Sequence, residues 1–211
     1  MKRLLLIVAI LMLFSGCGAP RKHAVARYDF GAAPQAIKAA LPVRLQLLPV
    51  SAPHWVNSDS INYRLAYRQG NQIAAYTESA WIVSPAELIA LRLHSVSPDH
   101  FFAAGNLSAR AHCTLQLGLE TFEQVFDTPD TSHARVTLHV MLSGRKSREL
   151  IAQADMHSTI AAATPDARGG SAALVAASDA SVQQTLLWLQ QVFDAKSGEG
   201  RKHIAMCGGE P

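Results

Sequence analysis

In two stretches between Ala109 and Leu142 apolar residues fall on every second position, a spacing that suits strands rather than helices. Cys113, Leu115, Leu117 and Leu119 form one such series. Val136, Leu138, Val140 and Leu142 form another, alternating with Arg135, Thr137 and His139. A period of two turns one set of side chains to a core and the other to water. Two long half-buried strands are therefore expected, Ala109 to Phe126 and Ala134 to Leu142, joined by Asp127 to Ser132 with Pro129 at the centre. In the first, the odd-numbered leucines give way to Phe122 at an even position. That slip of phase predicts a β-bulge near Glu120. Ser143 to Arg148 then turns the chain into a third strand, Glu149 to Ile160.

The flanking elements follow from local chemistry. Tyr28-Asp29-Phe30 begins a strand that Gly31 ends, and Pro34 to Leu41 reads as a loop or one helical turn. Val43, Leu45 and Leu47 mark a strand stopped by Pro49. Ile61 to Tyr67 and Gln72 to Ser79 flank Gly70-Asn71 as a hairpin. Ser84-Pro85-Ala86-Glu87 has the residues of a helix start, a capping serine with proline at the first helical position and glutamate in the capping box. Ile89, Leu93 and Val96 give that helix its buried stripe, and Pro98 ends it. After a loop at Pro165 to Gly170, a helix of about 25 residues is expected to bury Val175, Val182, Leu186, Leu189 and Phe193. Lys196 to Gly200 ends it. With no repeat and no internal linker, the reading is one α+β domain: a mainly antiparallel sheet with two helices packed on one face.

The N-terminus sets a different constraint. Lys2 and Arg3 are followed by an unbroken apolar run, Leu4 to Phe14, and by Ser15-Gly16-Cys17. Positive start, apolar middle and small-residue exit are the parts of a secretory signal. The run is too short to span a bilayer, which takes roughly 20 helical residues. Leu13 to Cys17 resembles the lipobox of bacterial lipoproteins, with Phe14 where a leucine is usual. Residues 1–16 are thus expected as a lipoprotein signal peptide, with Cys17 as the lipid attachment site. A diacylglycerol and an acyl chain such as palmitate on one cysteine would hold a protein to a membrane effectively permanently. Residues 17–27 read as the tether, 28–197 as the domain and 198–211 as a flexible tail. Gly18 is not the aspartate that usually retains lipoproteins in the inner membrane, so the periplasmic face of the outer membrane is expected.

Charge removes one class of function. The formal net charge of the chain is +3, and loss of Lys2 and Arg3 with the signal leaves it nearly neutral. Nothing then favours nucleic acid. Of the remaining cysteines, Cys113 lies on the apolar parity of its strand, and Cys207 lies in a glycine-rich segment able to reach it. Two readings stay open, a disulfide formed in an oxidising periplasm and a buried thiol acting as a small hydrophobe.

Catalytic patterns are weak. Ser143-Gly144-Arg145-Lys146 fits Ser-x-x-Lys, but it lies in a strand-to-strand turn and lacks the partner motifs of penicillin-binding enzymes. His94, Ser95, Asp99 and His100 have no nucleophile elbow near them, and capping is the simpler use. His112, His133, His139 and His157 are spread over strands, whereas a metal site needs three or four converging ligands. No enzyme, no metal and no cofactor beyond the lipid on Cys17 are expected. The aromatic residues Trp55, Tyr63, Tyr67, Tyr76 and Trp81 lie in or beside the hairpin. Any of them left exposed would mark a docking surface.

The mature chain resembles the auxiliary lipoproteins of ABC-type transporters that accompany MCE-domain lipid transport systems. The likeness is carried by Tyr28-Asp29-Phe30-Gly31, Leu47-Leu48-Pro49-Val50, Tyr63-Arg64, and Tyr76 with Trp81 before Ser84-Pro85-Ala86-Glu87-Leu88. It continues in Pro165-Asp166-Ala167-Arg168-Gly169-Gly170 and Trp188. Ser171 stands where the family often has a β-branched residue. The resemblance implies a non-enzymatic outer-membrane lipoprotein that docks onto the periplasmic MCE-domain protein, with ATPase and permease supplied by other subunits. A homo-oligomer is left open. The alternative is a lipid-binding or outer-membrane assembly lipoprotein that holds an acyl chain itself.

Overall fold

A computed structural model describes residues 24–35, 41–68, 70–97, 102 and 111–209. Its centre is the run of alternating residues. Strands β5 (Cys113–Phe126), β6 (Ser132–Gly144) and β7 (Leu150–Ala161) form an antiparallel meander. The expected bulge is present, since the β5–β6 register shifts between Leu119 and Thr121 and leaves Glu120 unpaired. Beyond it every residue from Phe122 to Phe126 is buried, and the even-numbered Phe122 takes the place of the odd-numbered leucines in the core against Phe30 and Trp81.

Four shorter strands extend the sheet to seven, in the order β1-β4-β3-β5-β6-β7, with β2 also on β5. They are β1 (Ala26–Tyr28), β2 (Leu45–Leu47), β3 (Ser60–Leu65) and β4 (Ile73–Trp81). The β3–β4 hairpin is antiparallel as expected. The sheet as a whole is mixed, because β1 runs parallel to β4 and both β2 and β3 run parallel to β5. The cause is one long neighbour shared by two segments. β2 pairs with the start of β5, Ser51 still bonds the backbone of Leu117 and Leu119, and β3 joins the far end at Gln124 to Phe126. The excursion between them faces the bulge.

Three helices cover one face, one more than expected. Helix α1 (Pro85–Val96) starts as its sequence indicates, with the Glu87 amide donating to Ser84 Oγ at 3.4 Å. Helix α2 (Ala167–Val192) is capped by Asp166, whose Oδ1 accepts from the Gly169 amide at 2.7 Å. Val182, Leu186, Leu189 and Phe193 are buried as expected, while Val175 is only half-buried. The third helix corrects the expected tail. Residues Gly198–Met206 form α3, capped by Ser197, with Ile204 fully buried in the core. Cys207, the residue that caps its C-terminus, is bonded to Cys113 across a sequence separation of 94, with Cα atoms 5.2 Å apart. That bond and Ile204 hold the segment against the body.

The layer between sheet and helices is filled with aliphatic side chains. Leu115, Leu117, Leu119, Leu138, Leu142, Leu174 and Leu186 have no exposed surface. Burying one such side chain contributes about 2 kcal/mol, so this layer carries most of the fold's stability. The other sheet face is polar and open, with His139, Asp155, Thr137 and His157 on it.

Candidate docking surface

The aromatic residues singled out by the sequence separate into three places. Trp81 is wholly buried, with ring edges against Phe30 at 5.8 Å, Phe122 at 5.6 Å and Tyr28 at 6.5 Å. It is a core residue and presents nothing to a partner, which corrects its place among the docking candidates. The reason is register: β4 lies inside the sheet, and its last residues, Ser79 to Trp81, are all buried.

Tyr63 and Tyr76 pack on each other across the hairpin, ring centres 4.8 Å apart, and Tyr63 meets Phe126 edge-on at 5.9 Å. They line the helix-side surface next to the start of α2. The Tyr76 hydroxyl donates to Gln124 Oε1 at 2.9 Å, and Gln124 Nε2 donates to Ser132 Oγ at 2.8 Å. Burial, then the neighbouring Tyr63 and the charge of Asp166, push the Tyr76 hydroxyl up to about 12, so it stays a donor at any ordinary pH. Tyr63, Leu65, Arg68, Gln72 and Ala74 line an open depression of about 440 Å³. Tyr67 is exposed at its rim with the Arg68 guanidinium 5.6 Å from its ring centre.

Trp55 is on the opposite side of the sheet. It is 62% exposed, far more than any other tryptophan or tyrosine among the described residues. The turn that carries it is pinned, since Val56 and Asn57 amides both bond Pro53 O and Asn62 Nδ2 donates to Trp55 O at 2.9 Å. Beside it, Ile73 is 42% exposed, and the two flank a shallow hollow over the bulge. The floor of the hollow is charged: buried Glu123 accepts from Arg64 Nη2 at 3.0 Å and from Arg135. A fixed apolar ring beside a paired cluster of two arginines and one glutamate is suited to binding a protein surface.

Two polar residues within the fold were not singled out from the sequence. Arg92 lies on the apolar stripe of α1, side chain 2% exposed, and bonds Phe30 O, with Asp179 of α2 at 3.1 Å. Burial raises the Asp179 carboxyl despite the opposing pull of Arg92. Around them, Val96, Ala176, Ala180 and Val182 help to line a groove of about 360 Å³ between α1 and α2. The signal was present: a charge three residues after Ile89 and four before Val96 must either be buried or break the stripe. Gln124, between Phe122 and Phe126, offered the same kind of sign.

The remaining sequence candidates divide as follows. Cys17 lies outside the described residues, as do Asp99 and His100. His133 pairs with Asp127 at 2.8 Å and His139 with Asp155 at 2.5 Å on the open sheet face. Among the described residues no three histidine, cysteine, aspartate or glutamate side chains come together as a metal site. No helix among them is long and apolar enough to cross a membrane. Ser143 lies within strand β6, one residue before its end, with its hydroxyl 2.9 Å from that of Thr114, and so is not at a helix start.

These features define an α+β body with a mixed seven-stranded sheet covered on one face. The same architecture occurs in a crystal structure of a Xanthomonas campestris protein of the family DUF330. The TM-score is 0.67 at 15% identity, covering 82% of this chain and all of that one. A second crystal structure, of an uncharacterised protein, matches with a TM-score of 0.56 and 11% identity over 80% of this chain and 99% of the other. At such identities the likeness is one of fold. No family model matches the chain, and neither does any curated protein.

Proposed function

We propose that this protein is a non-enzymatic lipoprotein component of an ABC-type, MCE-associated lipid transport system. It is held by lipid on Cys17 at the periplasmic face of the outer membrane and docks onto the periplasmic MCE-domain protein. The observation that carries the docking role is Trp55, 62% exposed on a turn fixed at both ends. Exposing so large an apolar ring costs solvation free energy, and tryptophan is among the residues that dominate binding at interfaces. The lipobox-like N-terminus supports the anchor, and the order of motifs along the mature chain supports the transport system. The test is recovery of the MCE-domain protein with the tagged chain from solubilised membranes. Trp55→Ala should lower that recovery at least tenfold while Tyr67→Ala, on the other side of the sheet, changes it little. Equal recovery with all three forms removes Trp55 from the interface.

A second reading, a module that itself holds an acyl chain, is favoured by the groove between α1 and α2, whose lining joins Val96, Ala176, Ala180 and Val182 to the Arg92–Asp179 pair. At about 360 Å³ it falls at the small end of ligand sites. Native mass spectrometry of the purified chain would show a co-purified lipid if this reading holds and protein alone if it does not.

A further inference from the structure

The middle of α2, from Ala172 to Ser181, is rich in alanine, and Ala176 and Ala180 stand one turn apart on the groove between α1 and α2. Side chains that short leave room between the helices, and Val96 of α1 faces the same space. Small residues alone make a cleft and no site. A charged pair in the wall of this one gives it a direction.

Arg92 is buried, with 3% of its surface exposed, and its hydrogen-bonding groups are only partly used. Nη2 donates to Phe30 O and lies 3.5 Å from Gly31 O. Nε lies 3.1 Å from Asp179 Oδ1, close enough for an ion pair but not aligned as a hydrogen bond. Arg92 Nη1 is buried with no hydrogen-bond partner, and so is Asp179 Oδ1. An unpaired donor and an unpaired acceptor therefore lie side by side at one wall of the groove. Buried polar atoms are seldom left so, because each has given up water for nothing.

Charge decides what completes them. Guanidinium and carboxylate together carry no net charge. An anionic head group would gain Arg92 and meet Asp179, and a cationic one would meet the reverse. An uncharged group that both accepts and donates satisfies the two atoms at once.

We propose, resting on the reading of this chain as a module that holds an acyl chain, that the groove binds one such chain ending in an uncharged head group of the monoacylglycerol class. The ester carbonyl accepts from Arg92 Nη1, and a glycerol hydroxyl donates to Asp179 Oδ1. The hydrocarbon lies along Ala176 and Ala180 against Val96 and Val182. A groove of about 360 Å³, at the small end of ligand sites, suits a single chain. Neither polar atom is open to solvent, so the head group enters as the exposed Gln183 side chain on the rim turns aside.

Photo-cross-linking in membranes that hold the full-length chain tests this. The probe is 1-monolauroylglycerol with a diazirine in its acyl chain. Label should appear on peptides from α1 and α2, and excess unlabelled monolauroylglycerol should reduce it severalfold while laurate changes it little. Ala180→Leu, at a half-buried position, should lower the labelling. Asp179→Asn leaves Arg92 without its counter-charge, so laurate should become an effective competitor; misfolding cannot produce that gain. Equal competition by laurate in the wild type, or none in Asp179→Asn, would overturn the uncharged head group and leave the acyl chain standing. Label on other parts of the chain would overturn the site alone. Absence of label, with no lipid in the native mass spectrum, would overturn both the site and the acyl-chain reading beneath it.

Discussion

Gly170 and Gln124 touch where α2 begins, and no other residue type fits that contact. A Cβ on Gly170 would lie 1.9 Å from Gln124 Oε1 and 2.4 Å from its Cδ. Gln124 is fully buried and held at both ends of its amide, by Tyr76 and by Ser132. The long helix is thus seated on the sheet through one glycine and one polar side chain placed just beyond the bulge. The same amide fixes Tyr76, so the helix and the aromatic depression are positioned together.

Gly170→Ala should therefore lower stability by about 1–3 kcal/mol, the usual cost of forcing atoms into a filled interior. Urea unfolding would show it as a reduced midpoint. Gln124→Ala in the same chain should recover part of the loss, since it removes the group that the new methyl strikes. Additive losses would mean that the two residues do not act through this contact.

Asp166 caps α2, and the Gly169 amide, followed by the Thr164 hydroxyl, holds its carboxyl below the usual range. A lowered carboxyl stabilises the fold above its ordinary value of 3.8 and loses that contribution as pH falls through its lowered value in the fold. Asp166→Ala should cost about 1 kcal/mol at neutral pH. The difference from wild type should shrink as pH drops below the carboxylate range. A constant difference across that range would assign the loss to something other than the charged cap.

The Cys113–Cys207 bond closes a sequence separation of 94 residues. On the loop-entropy scale a closure of that length contributes about 4–5 kcal/mol, an upper figure if the reduced chain keeps residual structure. Cys207→Ala should lower the melting temperature, and amide exchange should rise first in α3 around Ile204. Unchanged protection of α3 would show that its packing alone holds it.

How much of this could be read from residues alone divides along physical lines. The alternation in β5 and β6 is strict, and with the slip at Phe122 it located both strands and the bulge. The start of α1 was legible because Ser84 and Pro85 act locally. The parallel pairings were not, because nothing in β2 or β3 says which long strand they will join or in which direction. The third helix was missed for a similar reason. Glycines at 198 and 200 read as a tail, yet Gly200 lies so close to Asp194 O that a side chain there would collide, and Ser197 caps the turn. Trp55 and Trp81 are the same residue type near the same hairpin; only the sheet order separates a buried ring from an exposed one.

The account depends most on the lipid at Cys17. Labelling cells with radioactive palmitate and isolating the chain tests it directly. The wild-type chain should carry label and sediment with membranes, and Cys17→Ser should lose both. A wild-type chain without label that fractionates like Cys17→Ser would contradict an anchored docking component.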